Sequence, residues 1–383
     1  MLTPGISFIN FKKKNKSENL KKKLQLIIKE KNEILNSLSI NYKDSFKKNL
    51  INKYKVFSCF RVIGMGGSIL GTRAIYEFLK HKTKKDFLFV DNLQNNLIQS
   101  KKKNLNIIVS KSGNTIETIA NSNLIAKKNN PNIFITENKK NYLYQLATKL
   151  KGEIVHHNNY IGGRYSVLSE VGMLPAELMG FESKNFRQFN SLIKNKRFLN
   201  SLVDNVNSIL YYVKNRKFNS IVINYDEKSE SLFKWYQQLV AESLGKKKKG
   251  ILPIVSNMPK DNHSVMQLYL DGFQNNFFTF FYVDENKPKK LNNKFLLPSD
   301  RLLKNKSISE IIYSQKKATE NVFSKKNIPF RSFEIKKRDE KTLGELFTFF
   351  ILETILLGKA LRLNPYDQPA VELIKQETKK ILS

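Results

Sequence analysis

The chain has 383 residues, 40% of them hydrophobic and 11% aromatic, which is enough for two ordinary domains with full cores and excludes a disordered chain. Lysine and arginine number 67 against 33 acids, and a formal charge of +34 would by itself suit nucleic acid or an anionic membrane. The lysines are spread along the whole chain without a helix-turn-helix, zinc-finger or aromatic RNA-binding pattern, so the charge reads as compositional background and no nucleic-acid partner is expected.

At the N-terminus, M-L-T-P-G-I-S-F-I-N-F-K-K-K places its lysines after a short apolar stretch that Pro4 and Gly5 interrupt, the wrong order for a signal peptide. Lysine runs recur at residues 12–14, 21–23, 101–103 and 246–249. Cys59 is the sole cysteine, which excludes an intrachain disulfide and a cysteine zinc site and fits a reducing compartment. The longest apolar runs, such as residues 277–283, fall far short of the roughly 20 residues a membrane helix needs. A cytoplasmic protein without a membrane partner is the expectation.

Residues 17–38 carry Leu24, Ile27, Ile28, Ile34 and Leu35 at helical spacing and predict an amphipathic helix within an N-terminal arm, 1–50. Short β-rich runs follow at 56–63, 87–90, 105–110, 132–136 and 153–156, separated by helical stretches near 71–80, 115–128 and 142–150. This alternation predicts an α/β domain over 51–185 with a parallel sheet flanked by helices. After a polar bridge near 182–200, runs at 221–224, 251–255, 277–283 and 330–335, with helices at 229–244 and 307–322, predict a second α/β domain over 186–340. The tail, 341–383, reads as helical with a break at Asn364, Pro365 and Tyr366.

Two loops of the first domain suit an anion. The run ending at Ile63 leads into G-M-G-G-S-I-L-G, with Gly66, Gly67 and Ser68 at a turn that feeds a helix N-terminus. The run ending near Ser110 leads into S-K-S-G-N-T-I-E-T, where Ser110, Lys111, Ser112 and Thr115 surround another helix start. Asn114 and Glu117 also read as a capping box, and both readings can hold together. A dinucleotide fingerprint begins at Gly64 and Gly66 with Asp91 at a plausible distance, but Ile69 stands where its third glycine belongs.

Further on, I-G-G-R-Y-S-V-L-S-E-V-G-M-L-P spans residues 161–175. Gly162 and Gly163 can take positive φ, and Arg164 beside them presents a permanent fork to a carboxylate, phosphate or enediolate oxygen; a surface turn with an ion-paired arginine is the plainer reading. In W-Y-Q-Q-L-V-A-E-S-L-G-K, Gln238 and Glu242 share a helix face, so Glu242 is either a base aimed into a cleft or a solvated residue. D-N-H-S-V-M-Q supplies His263, an acid/base near neutral pH. The tail N-P-Y-D-Q-P-A-V-E-L-I-K puts Pro369 in a first helical turn with Gln368, Glu372 and Lys375 along one face.

In this order, G-x-G-G-S, S-K-S-G-x-T-x-E-T, G-G-R-Y-S-V-x-S-x-V-G-x-L-P, Q-L-x-x-E-S-x-G-K, H-S-x-x-Q and D-Q-P-x-V-E-L-x-K resemble the glucose-6-phosphate isomerase family over residues 62–375. The resemblance implies two tandem sugar-isomerase (SIS) domains and reversible conversion of glucose 6-phosphate into fructose 6-phosphate, without metal or organic cofactor. It implies that Gly66, Gly67, Ser68, Ser110, Lys111, Ser112 and Thr115 hold the substrate phosphate, and that Gln238 and Gln368 contact the sugar. Glu242 would be the base of a cis-enediol transfer, Arg164 its electrostatic partner, His263 backed by Glu117 the ring-opening acid, and Lys375 a helper at the ring and O1 oxygens. A homodimer that shares His263 across its interface is also implied.

The chain departs from the family pattern at Asn114, where threonine is common, at Ala370, where glycine is common, and at Ile374, whose bulk could tilt Lys375. It is also shorter than typical members, which suggests trimming at the N-terminus and near 287–305. The alternative is another phosphosugar isomerase or phosphosugar-binding protein on the same domain type. Such a protein has no reason to combine Gln238, Glu242, His263 and Lys375.

Overall fold

The computed structural model describes residues 1–13, 18–93, 104–285 and 288–383, so the lysine run at 101–103, with Lys14, Ser17 and Lys287, lies outside the described residues. Among the described residues the strands are β1 (Ile6–Ile9), β2 (Cys59–Ile63), β3 (Asp86–Val90), β4 (Leu105–Val109), β5 (Asn132–Glu137), β6 (Glu153–His157), β7 (Asn219–Asn224), β8 (Leu252–Asn257), β9 (Asn276–Val283) and β10 (Phe330–Ile335). They form two five-stranded sheets, β3-β2-β4-β5-β6 and β1-β10-β9-β7-β8. Neighbouring strands are parallel except β1, which runs antiparallel to β10. The expected α/β class, with mainly parallel sheets flanked by helices, is the one the chain adopts.

Contacts divide the chain into two compact units, each gathered from three stretches. One holds β2–β6 and consists of Asn19–Asn195, Ser231–Gly250 and Asp339–Ser383; the other holds β1 and β7–β10 and consists of Met1–Glu18, Lys196–Glu230 and Ile251–Arg338. The helix Glu230–Leu244, which carries Glu242, and the C-terminal tail therefore belong almost wholly to the unit of the first sheet.

In the β2–β6 unit, every residue of the L-N-I-I-V strand β4 is buried, as a central parallel strand covered on both faces requires. Ile63, Ile108, Phe134, Leu143 and Ala147 form one core cluster beneath the helices. Strand order reverses between β2 and β4, and in open parallel sheets ligands bind outside the carboxyl ends at such a point. The two loops anticipated as anion seats leave the sheet there.

The amphipathic stretch at the N-terminus is two helices, Glu18–Lys29 and Glu33–Ser37, rather than one. Asn32 makes the break, because its side chain accepts the Ile34 N–H at 2.8 Å and so caps a new helix. The helix Glu170–Met179 contains Pro175, and the carbonyl that loses a helical donor, Val171 O, takes the Thr72 hydroxyl at 3.1 Å instead. The tail begins with Glu340–Ala360, buried on all sides from Thr342 to Gly358, and ends after a turn in the exposed helix Val371–Leu382.

In the other unit, Ile221, Ile223, Tyr225, Phe278, Phe280 and Phe323 make the core. The edge strand β1 and the helix Lys196–Lys214 were not anticipated. The helix buries Phe198, Leu202, Val206 and Ile209 at helical spacing, but its start falls inside the stretch read as a polar bridge. Strand order also reverses between β7 and β9, yet the carboxyl end of β7 is occupied by Asp226. That carboxylate accepts Arg338 Nη2 at 2.6 Å and Nη1 at 3.1 Å together with the Ser229 hydroxyl. A fixed carboxylate at this point disfavours an anion, in contrast with the β2/β4 crevice.

Candidate active site

The loop after β4 has the features of an anion seat. Its helix, Ile116–Ile125, starts at the N-cap Thr115 without a side-chain cap, so among the described residues its dipole end and first N–H groups face the loop unanswered by side chains. The capping box expected from Asn114 and Glu117 does not form: Asn114 Oδ1 accepts Tyr142 N at 3.1 Å, at the start of the next helix. Ser110 and Thr115 join hydroxyls at 2.9 Å, while Ser112 is exposed and accepts the Asn114 N–H. Between them Gly113 sits at φ +67°, and a Cβ there would lie 2.0 Å from Asn141 Oδ1, so no other residue fits. Lys111 is turned toward Glu137, 3.7 Å away; burial draws its ammonium below the ordinary value and the Glu137 carboxylate opposes that shift. The dinucleotide reading loses its second support here, since Asp91 is paired with Arg73 at 2.7 Å and Ile69 is fully buried.

Arg164 is the centre of the second cluster and is 1% exposed. Its Nε donates to Ser243 Oγ at 2.8 Å, Nη1 to Glu242 Oε1 at 3.0 Å and to Gln368 Oε1 at 2.7 Å, and Nη2 to the carbonyls of Pro365 at 2.8 Å and Asp367 at 3.2 Å. Only a planar fork can serve so many acceptors in one plane. The other Glu242 oxygen accepts Gln238 Nε2 at 2.9 Å, and the Glu242 side chain keeps 24% of its exposure, so a partly open carboxylate is aimed by two donors. Gln238 Oε1 is buried and has no partner among the described residues, which leaves an acceptor for a hydroxyl.

The glycines beside Arg164 act through closeness rather than through the positive φ expected of them. Gly162 has φ −70°, and neither Gly162 nor Gly163 is among the residues with positive φ. The tight position is Gly67, where a Cβ would come 2.1 Å from Gly163 C and 2.5 Å from Arg164 N. The turn Gly66–Ser68 thus lies directly on the backbone that carries Arg164, and a Cβ at Gly66 would reach 2.9 Å from Gln238 Nε2. The phosphate-type turn after β2 and the arginine–glutamate pair form one packed constellation.

Other expected members are not gathered into it. Gln368 reaches Arg164 from a turn, because the last helix starts at Val371 with Ala370 as N-cap and leaves Pro369 and Gln368 outside it. Lys375 is exposed on that helix and pairs with Glu372 at 2.6 Å, and Ile374 beside it is 72% exposed. Glu117 lies half-buried in the first turn of its helix. His263 belongs to the other unit, exposed at the end of the turn Lys260–His263.

Several supporting residues were not anticipated. Ser243 holds both Arg164 and the Tyr165 hydroxyl, the latter at 2.9 Å, and its signal was its fixed place in the E-S-x-G-K motif. Lys246 donates to the Asn364 and Asp367 carbonyls and to the Asp367 carboxylate at 2.7 Å, which ties down the turn that supplies Gln368. Buried Glu170 accepts Asn158 N at 2.5 Å and the Tyr42 hydroxyl at 3.0 Å, anchoring the loop ahead of Arg164.

An uncapped, hydroxyl-lined helix N-terminus at the switch point of a parallel sheet, in one unit with a carboxylate anchored on a buried arginine, defines an α/β protein suited to a phosphorylated ligand beside a candidate acid/base group. A sequence model of phosphoglucose isomerase matches residues 52–383. The glucose-6-phosphate isomerase of Methanocaldococcus jannaschii is 32% identical over 366 residues, 89% of this chain and 88% of its own length. That of Mycoplasmopsis pulmonis is 32% identical over 355 residues, covering 84% and 82%. The crystal structure of a glucose-6-phosphate isomerase from Chlamydia trachomatis shares the fold with a TM-score of 0.74 over 99% of this chain and 88% of its own, at 18% identity. The chain belongs to the phosphoglucose isomerase family.

Proposed function

We propose that the chain interconverts glucose 6-phosphate and fructose 6-phosphate, with Glu242 carrying the proton between C2 and C1. The observation that supports this most is the Arg164–Glu242 contact of 3.0 Å, which joins a partly open base to a buried, permanent cation. After the sugar ring opens, Glu242 removes the C2 proton of the aldose, and the electron pair left behind makes an enediolate whose oxygen charge faces Arg164. A proton passes from O2 to O1 of the intermediate, and delivery of the carbon-bound proton to C1 then completes the ketose, so the substrate is neither oxidised nor reduced overall. The phosphate sits at Ser110, Lys111, Ser112 and Thr115 with the Gly66, Gly67 and Ser68 turn alongside, and Gln238 and Gln368 contact the sugar.

His263, backed by Glu117, and Lys375 serve ring opening and the O1 oxygen. His263 is exposed and belongs to the other unit, which suits its supply by a second copy in a homodimer. Among the described residues no helix is long and apolar enough to cross a membrane. A cytoplasmic enzyme that acts on sugar phosphate and has no nucleic-acid partner completes the reading.

A coupled assay, fructose 6-phosphate in and glucose 6-phosphate detected with a dehydrogenase, tests the activity; no turnover by folded protein overturns it. Mixing inactive Glu242→Gln and His263→Ala chains tests the shared site. Partial recovery is expected from hybrid dimers, and no recovery despite demonstrated subunit exchange would leave each site self-contained.

A further inference from the structure

The unit of β7–β10 contains a cavity of about 520 Å³, within the range of small-molecule sites. It opens at the amino ends of β7, β9 and β10, where Asn276 and Phe330 start their strands and Ile9 ends the antiparallel β1. Ligands of the sheet itself are expected at the opposite, carboxyl ends, so this cavity needs its own explanation.

Its wall is aromatic. Tyr212 and Phe278 are buried at its floor, while Tyr211 is half-buried and Phe273 is 55% exposed, leaving a ring face for a planar group. Its lining is also cationic, with Lys12, Lys13, Lys217 and Lys326 against Asp271 as the single acid among the described residues. Four ammonium groups facing one cavity suit an anion such as a phosphate, which lysine binds as a point charge. Asn10 adds a directional group: its Oδ1 accepts Phe11 N at 2.8 Å, but its Nδ2 is buried with no partner among the described residues. An orphaned donor in a cavity wall is answered when a ligand brings an acceptor, such as a ring nitrogen or carbonyl.

We propose that this cavity binds a nucleoside monophosphate, with the base against Phe273 and Tyr211, its polar edge toward Asn10, and the phosphate among the lysines. A hexose phosphate offers no flat ring to the aromatic wall, and a nucleoside alone offers nothing to the lysines. The site lies in the unit that does not hold the Arg164–Glu242 pair and does not depend on the isomerase reading.

The test is calorimetric titration of the full chain with adenosine and uridine 5′-monophosphates at physiological salt, with fructose 6-phosphate present in excess. One site per chain is expected for at least one nucleotide, with adenosine or uridine and ribose 5-phosphate each binding at least about tenfold more weakly. Phe273→Ala should weaken binding about tenfold, the loss expected for one base–aromatic stack. The pair Lys12→Glu and Lys326→Glu should weaken it at least as much. All three positions are exposed, so an unchanged melting temperature and unchanged isomerase kcat are expected in these variants. The proposal is overturned if neither nucleotide binds in the millimolar range. It is equally overturned if ribose 5-phosphate binds as tightly as the nucleotide, if Phe273→Ala has no effect, or if fructose 6-phosphate displaces the nucleotide.

Discussion

The guanidinium of Arg164 meets the Glu242 carboxylate at 3.0 Å while four further acceptors hold it in place, so carboxylate and cation are a fixed pair in the protein alone. In Glu242→Gln the amide keeps the shape and loses the base. Turnover should fall about 100 to 10,000-fold, the usual contribution of general-base transfer, while fructose 6-phosphate binding measured by calorimetry stays within a few-fold. Near wild-type kcat would remove Glu242 from that role.

Arg164→Lys should damage both activity and stability. A lysine has three N–H donors against the five contacts made here, so at least two are lost, although the Pro365 and Asp367 carbonyls keep the Tyr165 hydroxyl and the Lys246 ammonium as donors. Each such loss costs about 1–3 kcal/mol, so urea denaturation should show a lower midpoint together with a reduced kcat. Ser243→Ala removes the Nε contact and the Tyr165 hydroxyl contact and should fall between wild type and Arg164→Lys in both measurements.

The two glycine positions that meet across the site should respond unequally. An alanine at Gly67 places its Cβ 2.1 Å from Gly163 C and forces the backbone of Arg164 to move, whereas an alanine at Gly163 meets nothing nearer than 3.6 Å. Gly67→Ala should cost about 1–3 kcal/mol in urea and most of the activity, as overpacking does, while Gly163→Ala should be nearly silent. Equal effects would mean that the close approach is not what restricts these positions.

Phosphate recognition should depend on the loop after β4 and little on the scattered charge. Lys111→Ala is expected to raise KM at least about tenfold, because charge-assisted contacts are the strong ones, while neutralising Lys247 and Lys248 together changes it little. Added salt should raise KM moderately and leave kcat nearly constant, since exposed charges are screened beyond about 8 Å. Steady-state kinetics at two ionic strengths checks both statements.

Acid should destabilise the fold through His157. Burial lowers its pKa to about 4 from an ordinary 6.5, with the ring Nδ1 held to the Asn158 carbonyl at 2.8 Å. The native state therefore resists protonation that the unfolded chain accepts. Its contribution is fully present above pH 6.5 and is lost as pH falls toward 4, by up to about 3 kcal/mol. Urea midpoints measured from pH 7 to pH 4 should fall less steeply in His157→Gln, and identical slopes would assign the acid sensitivity to other groups.

How much of this was legible follows from range. The strand β10 and the helix Tyr142–Leu150 were read with their observed ends, and the other expected strands and helices within a few residues, because apolar period and turn residues are local properties. The capping box at Asn114 failed for a local reason with a distant cause: the Tyr142 N–H, 28 residues away, competes for the same oxygen. β1 was missed because four residues of I-S-F-I become a strand only once β10 offers them an edge.

The sequence by itself determined the alternation that makes two mainly parallel sheets, the helix starts that face the crevice, and the residue types of the candidate site, Arg164, Glu242, Gln238 and Gln368 among them. Tertiary structure alone decided that those four meet. They come from three stretches of chain that fold as one unit, and Gln368 is brought in by a turn that Lys246 ties down rather than by the helix expected to carry it. It also decided that Lys375 stays on an exposed helix with Glu372 and that Gly67, not Gly162 or Gly163, is the position with no room for a side chain. The physical reason is that period and propensity act over a few neighbouring residues, whereas a buried arginine paired with a carboxylate and a backbone approach too close for a Cβ exist only when distant segments have packed.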